Sequence, residues 1–149
     1  MNVRMASPAD VSELVRLRGL LFSALGRGGD GWQEPAARMF AERLKNGTMA
    51  VFVIDGDDGL AACAVGLVDH RLPGPQTPNG LWGHISGVVT DPGYRRRGYA
   101  RVLTTALLDW FQAHGIRRVD LHASAEAEAL YRDLGFFEKR DKALTWVAD

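Results

Sequence analysis

The stretch from Val88 to Arg101 limits the fold of this chain more than any other, because it joins a strand to a helix through a tight basic loop. It opens with the strand-forming residues Val-Val-Thr and continues through Asp-Pro-Gly, which has the chemistry of a turn. From Gly98 onward, apolar residues recur at helical spacing. The sequence therefore predicts a strand, a loop and the start of a helix, a geometry that directs backbone N–H groups at an anion.

The first turn of this predicted helix is crowded with four arginines: Arg95, Arg96, Arg97 and Arg101. Cations are unfavourable at the positive end of a helix dipole, by about 0.3 kcal/mol or more each. Gly98 and Ala100 leave room for a ligand phosphate to approach the backbone. We therefore predict an anion site here, in preference to a solvated basic helix end.

The length of the chain favours a single domain over residues 1–149. A chain of this size can bury roughly two-thirds of its unfolded surface in one core. Lys and Arg number 18, as do Asp and Glu, so no net charge draws the chain to nucleic acid or to an acidic membrane. The N-terminus lacks the apolar core of a signal peptide, and no apolar run approaches the ~18 residues of a membrane span. We expect a cytoplasmic protein with no nucleic-acid or membrane partner.

The cysteine and histidine content predicts neither a disulfide nor a metal site. The single cysteine, Cys63, lies in an apolar run and is expected to be a buried, inert thiol rather than a nucleophile. Together with Cys63, the four histidines lack recognisable ligand spacing: His70, His84, His114 and His122.

The first half of the chain reads as a strand, two helices and a hairpin. Ser7 and Pro8 supply an N-cap and a first helical residue, and the helix that follows carries Glu13, Arg16 and Arg18 away from its apolar positions. The predicted elements are a strand over 2–5, a helix from Ser7, a glycine-rich loop over 26–32, a helix over 34–45, and strands over 48–54 and 60–69.

The second half continues through a proline-rich loop over 72–80 into a strand over 81–90. A helix over 98–113 crosses over to a strand at 119–122, which makes these two strands parallel. A helix over 125–134 and strands at 136–138 and 144–147 complete the chain. The predicted fold is α/β in the α+β sense, a mixed, mostly antiparallel sheet of about six to seven strands with about four helices.

This order of elements resembles that of the GNAT superfamily of acetyl-CoA-dependent N-acetyltransferases. The sequence Arg-Arg-Arg-Gly-Tyr-Ala from Arg95 matches the superfamily's pyrophosphate signature, Gln/Arg-x-x-Gly-x-Gly/Ala. Leu-Tyr-Arg-Asp-Leu-Gly-Phe from Leu130 matches its later Leu-Tyr-x-x-Leu-Gly-Phe segment, at the expected separation. The resemblance covers residues 81–137, and the first half of the chain matches only in element order. It implies a GNAT-like fold.

The resemblance also implies acetyl-CoA as the cofactor. Backbone amides at the start of the helix would hold the pyrophosphate, and amides of the preceding strand would pair with pantetheine after a bulge near Gly87. Ser124 stands where the superfamily often has an asparagine, and is either a substitute donor or a helix cap. The predicted cofactor-binding residues are Val88, Val89, Thr90, Arg95, Arg96, Arg97, Gly98, Tyr99, Ala100, Arg101 and Ser124.

Two catalytic roles follow from the same resemblance. Tyr131 matches the general acid that protonates the departing thiolate, and a phenol with a pKa of about 10 can exchange a proton with a thiolate of about 8 to 9 at small cost. The backbone amide of Val89 would bind the acetyl carbonyl as its oxygen gains charge.

An amine acceptor is mostly protonated at neutral pH, so its attack requires a base or a water relay. By strict alternation His84, Ser86, Val88 and Thr90 share one strand face, although a bulge at Gly87 would shift that register. His84 and Ser86 are therefore the candidate bases. Further candidates are Asp69, His70 and Glu34.

We predict an N-acetyltransferase that acetylates a primary amine of a small molecule by direct attack in a ternary complex. The acceptor pocket would be built from the loops over 26–32 and 72–80, with Trp32, Glu34 and Trp82 as substrate-binding side chains. One alternative is a protein N-terminus or lysine as acceptor, and another is an acyl-CoA-binding sensor or partner module without catalysis. Exposed strand edges at the C-terminus are compatible with a homodimer.

Overall fold

A five-stranded sheet is the centre of the computed structural model, which describes residues 2–149. The strands, in spatial order, are β1 (Val3–Met5), β2 (Met49–Asp55), β3 (Leu60–His70), β4 (Leu81–Thr90) and β5 (Val119–Leu121). Neighbours from β1 to β4 are antiparallel, whereas β4 and β5 are parallel. The parallel pair follows from the crossover helix between those two strands, as predicted.

Four α-helices cover this sheet: α1 (Val11–Ala24), α2 (Gln33–Asn46), α3 (Tyr99–Ala113) and α4 (Glu128–Asp133). Short 3-10 turns at Pro8–Asp10 and Pro92–Tyr94 precede α1 and α3. Gly47 ends α2 in the left-handed conformation, at φ 74°. No helix within residues 2–149 is long and apolar enough to span a membrane.

The sheet is buried on both faces. Apolar side chains of α1 and α2 cover one face: Leu14, Leu17 and Phe40. Those of α3 cover the other: Leu103, Leu107 and Phe111. The α3 face is lined by small residues, and a Cβ added to Gly66 would lie 2.8 Å from Phe111 Cζ. The absence of a side chain at Gly66 therefore lets α3 approach β3 closely.

A β-bulge interrupts β4 near the predicted position. Gly87 lies opposite Val65 and Ile85 lies opposite Gly66, which leaves Ser86 without a partner on β3. The bulge therefore falls at Ser86, directly before Gly87.

The bulge also shows that the predicted single face of His84, Ser86, Val88 and Thr90 is wrong. His84 lies opposite Leu67, which packs on the α1 and α2 side of the sheet. Val88 packs on the α3 side. One extra residue reverses the alternation, so His84 and Val88 lie on opposite faces.

The predicted strands at 136–138 and 144–147 do not form within the described residues, so the sheet has five strands rather than six to seven. Leu144, Trp146 and Val147 are 92%, 85% and 78% exposed. Strand-forming residues predict extended backbone but cannot supply a neighbouring strand, and neither segment pairs with one in the described chain.

Candidate active site

The predicted anion site is a cleft of about 210 Å³ at the start of α3. Arg96 and Gly98 both have left-handed backbones, with φ 64° and 76°. Successive turns of this kind direct neighbouring N–H groups into one concavity, and the first N–H groups of a helix have no partner within it. The cleft is lined by Thr90, Tyr94, Arg95, Arg96, Arg97, Gly98, Tyr99, Ala100, Arg101 and Leu130.

Two observations show that the cleft fits a phosphate group. A Cβ added to Gly98 would meet no atom within 4 Å, so the space above its backbone is open. Arg96 is the one non-glycine residue of the described chain with positive φ, a conformation that costs about 1 to 3 kcal/mol. The contacts around Arg96 must therefore hold its backbone in this conformation.

The loop before α3 is held by contacts to two other elements. The Asp91 carboxylate accepts the Gly93 N–H at 3.0 Å and pairs with Arg16 of α1 at 2.8 Å. The Arg16 guanidinium holds the pKa of Asp91 below its ordinary value. At the other end of the turn, the Tyr94 hydroxyl accepts the Asp57 N–H from the β2–β3 hairpin at 2.7 Å. The basic loop is therefore a fixed structure.

One edge of β4 is unpaired beyond the bulge. The parallel ladder between β4 and β5 ends where Ile85 lies opposite Leu121. Within residues 2–149, no strand pairs with residues 86–90 on that side. The parallel ladder therefore ends directly before the bulged residue, and Thr90, at the end of this unpaired edge, lines the cleft.

Backbone N–H directions on this part of β4 follow from the ladder with β3. The Asp91 N–H donates to the Ala61 carbonyl at 2.8 Å. N–H groups alternate along an antiparallel strand, so the Val89 N–H also points toward β3. Those of Val88 and Thr90 point toward the open side.

Tyr131 lies beside the same cleft, on α4. Its ring is 8% exposed and packs edge to face on Phe136, with centroids 5.7 Å apart. Burial raises the pKa of the phenol above its ordinary value, so the hydroxyl is protonated at neutral pH. Arg101 of α3 pairs with Asp133 of α4 at 2.7 Å, which ties Tyr131 to the basic turn.

His84 of β4 contacts Asp120 of the neighbouring strand β5. The two residues are paired across β4 and β5, and His84 Nδ1 lies 2.7 Å from Asp120 Oδ1. Asp120 also pairs with Arg71 at 3.4 Å. The carboxylate can accept the Nδ1 proton, which leaves Nε2 as the free basic nitrogen.

The acetyltransferase (GNAT) family model matches residues 14–136, which include the basic turn, the opened strand pair and Tyr131. The chain belongs to the GNAT family. This confirms the family predicted from the two motifs, and acetyl-CoA is the cofactor of this acetyltransferase domain.

Relatives of this GNAT domain agree in sequence and in fold. It is 31% identical over 118 residues to mycothiol acetyltransferase of Beutenbergia cavernae, and the match covers 70% of this chain but only 40% of that protein. A crystal structure of a predicted acetyltransferase with acetyl-CoA from Clostridium acetobutylicum superposes with a TM-score of 0.88 at 22% identity, covering 97% of this chain and 94% of that one. Glucosamine-6-phosphate N-acetyltransferase from Arabidopsis thaliana superposes with a TM-score of 0.77 at 22% identity, covering 99% and 98%. The GNAT-like fold is thereby confirmed.

Ser124, which departs from the GNAT pattern, has a structural contact in this domain. Its Oγ accepts the Ala127 N–H at 3.3 Å, and its carbonyl accepts the Glu128 N–H at 3.0 Å. These bonds cap the turn before α4. A cofactor contact from Ser124 stays a prediction.

The three predicted substrate-binding side chains of this GNAT domain lie in different surroundings. Trp32 packs edge to face on Phe22 at 5.2 Å, at the end of α1. The ring of Trp82 is faced by three cations, described below. Glu34 pairs with Arg38 on the surface of α2, with its side chain 85% exposed, which is the arrangement of a solvated helix face.

Proposed function

We propose that this domain transfers the acetyl group of acetyl-CoA to a primary amine of a small molecule, by direct attack in a ternary complex. The observation that carries the proposal is the cleft itself, which has the basic turn on one side and Leu130, the neighbour of Tyr131, on the other. A cofactor phosphate bound in this cleft would therefore lie close to the proposed proton donor. Bound acetyl-CoA supplies an activated thioester there.

In this proposal the backbone of residues 96–101 binds the pyrophosphate, and the arginine side chains of the turn neutralise its charge. Thr90 and Val88 present free N–H groups along the open edge of β4, where pantetheine would add as an extra strand. A ligand in this position would satisfy backbone donors that the sheet leaves unpaired.

Val88, rather than Val89, is our proposed donor to the acetyl carbonyl. The ladder register directs the Val89 N–H toward β3, so it is already committed there. The Val88 N–H lies on the open side, next to the bulge. A backbone donor in that place stabilises negative charge on the carbonyl oxygen without needing to reorient.

Tyr131 is the proposed general acid. Burial raises the pKa of its phenol, so the hydroxyl is protonated at neutral pH and can donate its proton to the departing thiolate, which is the weaker base of the two.

His84 is the proposed general base, positioned by Asp120. It lies on β4 two residues before the bulge, and in the neutral ring an Nδ1–H donated to the Asp120 carboxylate places the basic lone pair on Nε2. Ser86, the bulged residue, is the weaker candidate, since a hydroxyl is a poor proton acceptor at neutral pH.

Direct attack, without an acetylated enzyme, is supported by the state of Cys63. The thiol is 2% exposed, and burial raises its pKa to about 12. A thiol in that state is neither ionised nor accessible, so it cannot carry the acetyl group.

The test begins with calorimetric titration of acetyl-CoA and desulfo-CoA into the wild type and an Arg97→Glu, Gly98→Asp variant. We expect micromolar binding that the variant loses. Turnover is then measured on a panel of small amines and peptides, with Tyr131→Phe as the mechanistic variant. Loss of the general acid should lower kcat by about 10²- to 10⁴-fold and leave acetyl-CoA affinity nearly unchanged.

Three outcomes would contradict the proposal. A folded wild type that does not bind acetyl-CoA would remove the cofactor site. Acetylation of peptides alone would favour a protein acceptor, and normal cofactor binding without turnover on any amine would favour a sensor module.

A further inference from the structure

Arg18 of α1 is a half-buried cation without an anionic partner. Its guanidinium has no carboxylate and no hydrogen-bond acceptor among residues 2–149, and burial lowers its pKa. Arg16, two residues earlier, pairs instead with both Glu13 and Asp91 at 2.8 Å. The lack of a partner is therefore specific to Arg18.

The Arg18 guanidinium lies over the bulge of β4. Its Nη1 is 3.8 Å from the position that a Cβ on Gly87 would occupy, and Leu21 Cδ2 is 3.4 Å from that position. The guanidinium carbon lies 4.9 Å from the ring centroid of Phe22, which holds the side chain by a cation–π contact. Phe22 is in turn supported by Trp32. Arg18 is thus held beside the point where β4 and β5 separate.

Removing a cation from water is costly unless an anion compensates for the lost hydration. The nearest ionisable group inside the sheet, Cys63, supplies no negative charge, because its pKa is raised to about 12. A Cβ on Gly87 would contact both Leu21 Cδ2, at 3.4 Å, and Arg18 Nη1, at 3.8 Å, so the glycine leaves room for one small group beside the guanidinium. The described chain therefore offers Arg18 no anion, and an anionic ligand would take that place.

Further cations line the same face of β4. Trp82, two residues before His84, has Arg71 at 4.5 Å, Arg118 at 5.4 Å and Lys139 at 5.4 Å from its ring centroid. Only Arg71 among these three pairs with carboxylates in the described chain. Arg118 and Lys139 therefore lie on this face without a carboxylate partner in the described chain, whereas Asp69 and Asp120 offset the charge of Arg71.

We propose that Arg18 binds an anionic group of the acceptor, so that the preferred acceptors are amines that also carry a carboxylate or a phosphate. This inference rests on the proposed function, because it assigns the substrate class of the same site. A guanidinium offers two parallel N–H donors to either oxyanion, and the contact orients the amine as well as binding it.

The first experiment compares amines with and without an anionic group, with kcat/KM expressed per unprotonated amine because the amine pKa also differs within each pair. One pair is an α-amino acid and its amide, and the other is phosphoethanolamine and ethanolamine. We expect the wild type to favour the charged member by at least about ten-fold in kcat/KM, the effect of one charge-assisted contact. The pair with the larger ratio identifies carboxylate or phosphate. In Arg18→Gln the ratio should fall close to one, and Arg18→Lys should retain part of it.

Arg117→Gln is the matched control, because it makes the same charge change at an exposed residue before β5. It should keep the wild-type ratio. A wild type without preference, an Arg18→Gln variant that keeps the preference, or equal loss of the ratio in the control would overturn the inference.

A second experiment separates this inference from the proposed function. The thermal midpoint of the CoA-saturated protein is measured with inorganic phosphate or succinate, against sodium chloride at matched ionic strength. CoA occupies the basic turn, so we expect an anion-dependent rise in the wild type that Arg18→Gln lacks. A rise without turnover on any amine would refute the proposed function alone. Turnover without a charge preference or an Arg18-dependent rise would refute the Arg18 inference alone.

Discussion

The contact between His84 and Asp120 allows the proposed general base to be tested by substituting each residue in turn. A general base must be unprotonated to act, so kcat/KM should fall as the pH is lowered. His84→Gln should lose about 10²-fold or more in kcat and also lose this acid limb. Asp120→Asn should retain the limb with a smaller loss, because the carboxylate orients the ring and does not accept the substrate proton.

His122→Gln serves as the control for that pH profile, since its ring lies 6.1 Å from His84 but has no contact with Asp120 among the described residues. It should keep the acid limb. A His84→Gln enzyme with an unchanged profile would exclude His84 as the base and leave a water relay.

Cys63 gives an independent test of direct transfer. With a pKa raised to about 12 and 2% exposure, the thiol should resist a thiol-reactive disulfide at pH 8 in the native protein and react fully after unfolding in urea. Cys63→Ala should retain turnover. A native thiol that reacts quickly, together with an acetylated intermediate, would contradict direct attack.

Individual residues show where sequence reasoning stops. Tyr131 and the basic turn were predictable because their motifs are local. Asp120 was not, because its role depends on the register between two parallel strands that are 36 residues apart at the contact. Arg18 was placed away from the apolar positions of α1, whereas its guanidinium lies beside Leu21 and over Phe22, against β4, and spacing does not reveal that this strand offers it no carboxylate.

Among the elements, two helix ends offer a matched pair of glycines: Gly98 precedes α3, and Gly47 follows α2. Gly98 and Gly47 have φ of 76° and 74°, and a Cβ on either would meet no atom within 4 Å. Alanine at each position should therefore lower the free energy of unfolding by a similar amount, about 1 to 2 kcal/mol, because the left-handed backbone is strained for any L side chain.

Only Gly98→Ala should weaken acetyl-CoA binding, because its methyl group enters the space proposed for the pyrophosphate. Urea unfolding and calorimetric titration of both variants measure the two effects separately. Equal acetyl-CoA affinity in Gly98→Ala and Gly47→Ala would place the phosphate elsewhere.

The same level of structure shows how much of the fold was predictable. Alternation and helical spacing predicted β1 to β5 and α1 to α4 in the correct order, since each depends on local periodicity. The prediction by strict alternation that His84 shares a face with Val88 was wrong, because one bulged residue, Ser86, reverses the alternation. The strands at 136–138 and 144–147 were wrong because strand formation also needs a neighbour.

In the whole molecule, the sheet separates two tasks. In our proposal, the face covered by α1 and α2 presents Arg18 and His84 to the acceptor, and the unpaired edge of β4 binds the cofactor up to the basic turn. The segment from Leu144 to Val147 is exposed, as the surface of a dimer interface would be in one protomer. The homodimer itself stays a prediction. An acceptor and a cofactor can therefore approach from opposite sides of one strand.

Hydrogen exchange should detect the short ladder between β4 and β5. The pair joins only three residues of each strand, whereas β3 and β4 are paired over nine positions. We expect amides over 119–134 to exchange faster than those of β2 and β3, and CoA to slow them selectively. Mass spectrometry with and without CoA measures this. Equal protection of both regions in the free protein would contradict it.

That three-residue ladder also has a consequence for affinity. If residues 119–134 open as their own cooperative unit, only the closed fraction is competent to bind, and the measured dissociation constant equals the intrinsic one divided by that fraction. A substitution in β5 or α4 that never contacts the cofactor would then weaken its binding by lowering that fraction. Inherited or engineered variation in cofactor affinity should accordingly be found in residues 119–134 as well as in the basic turn.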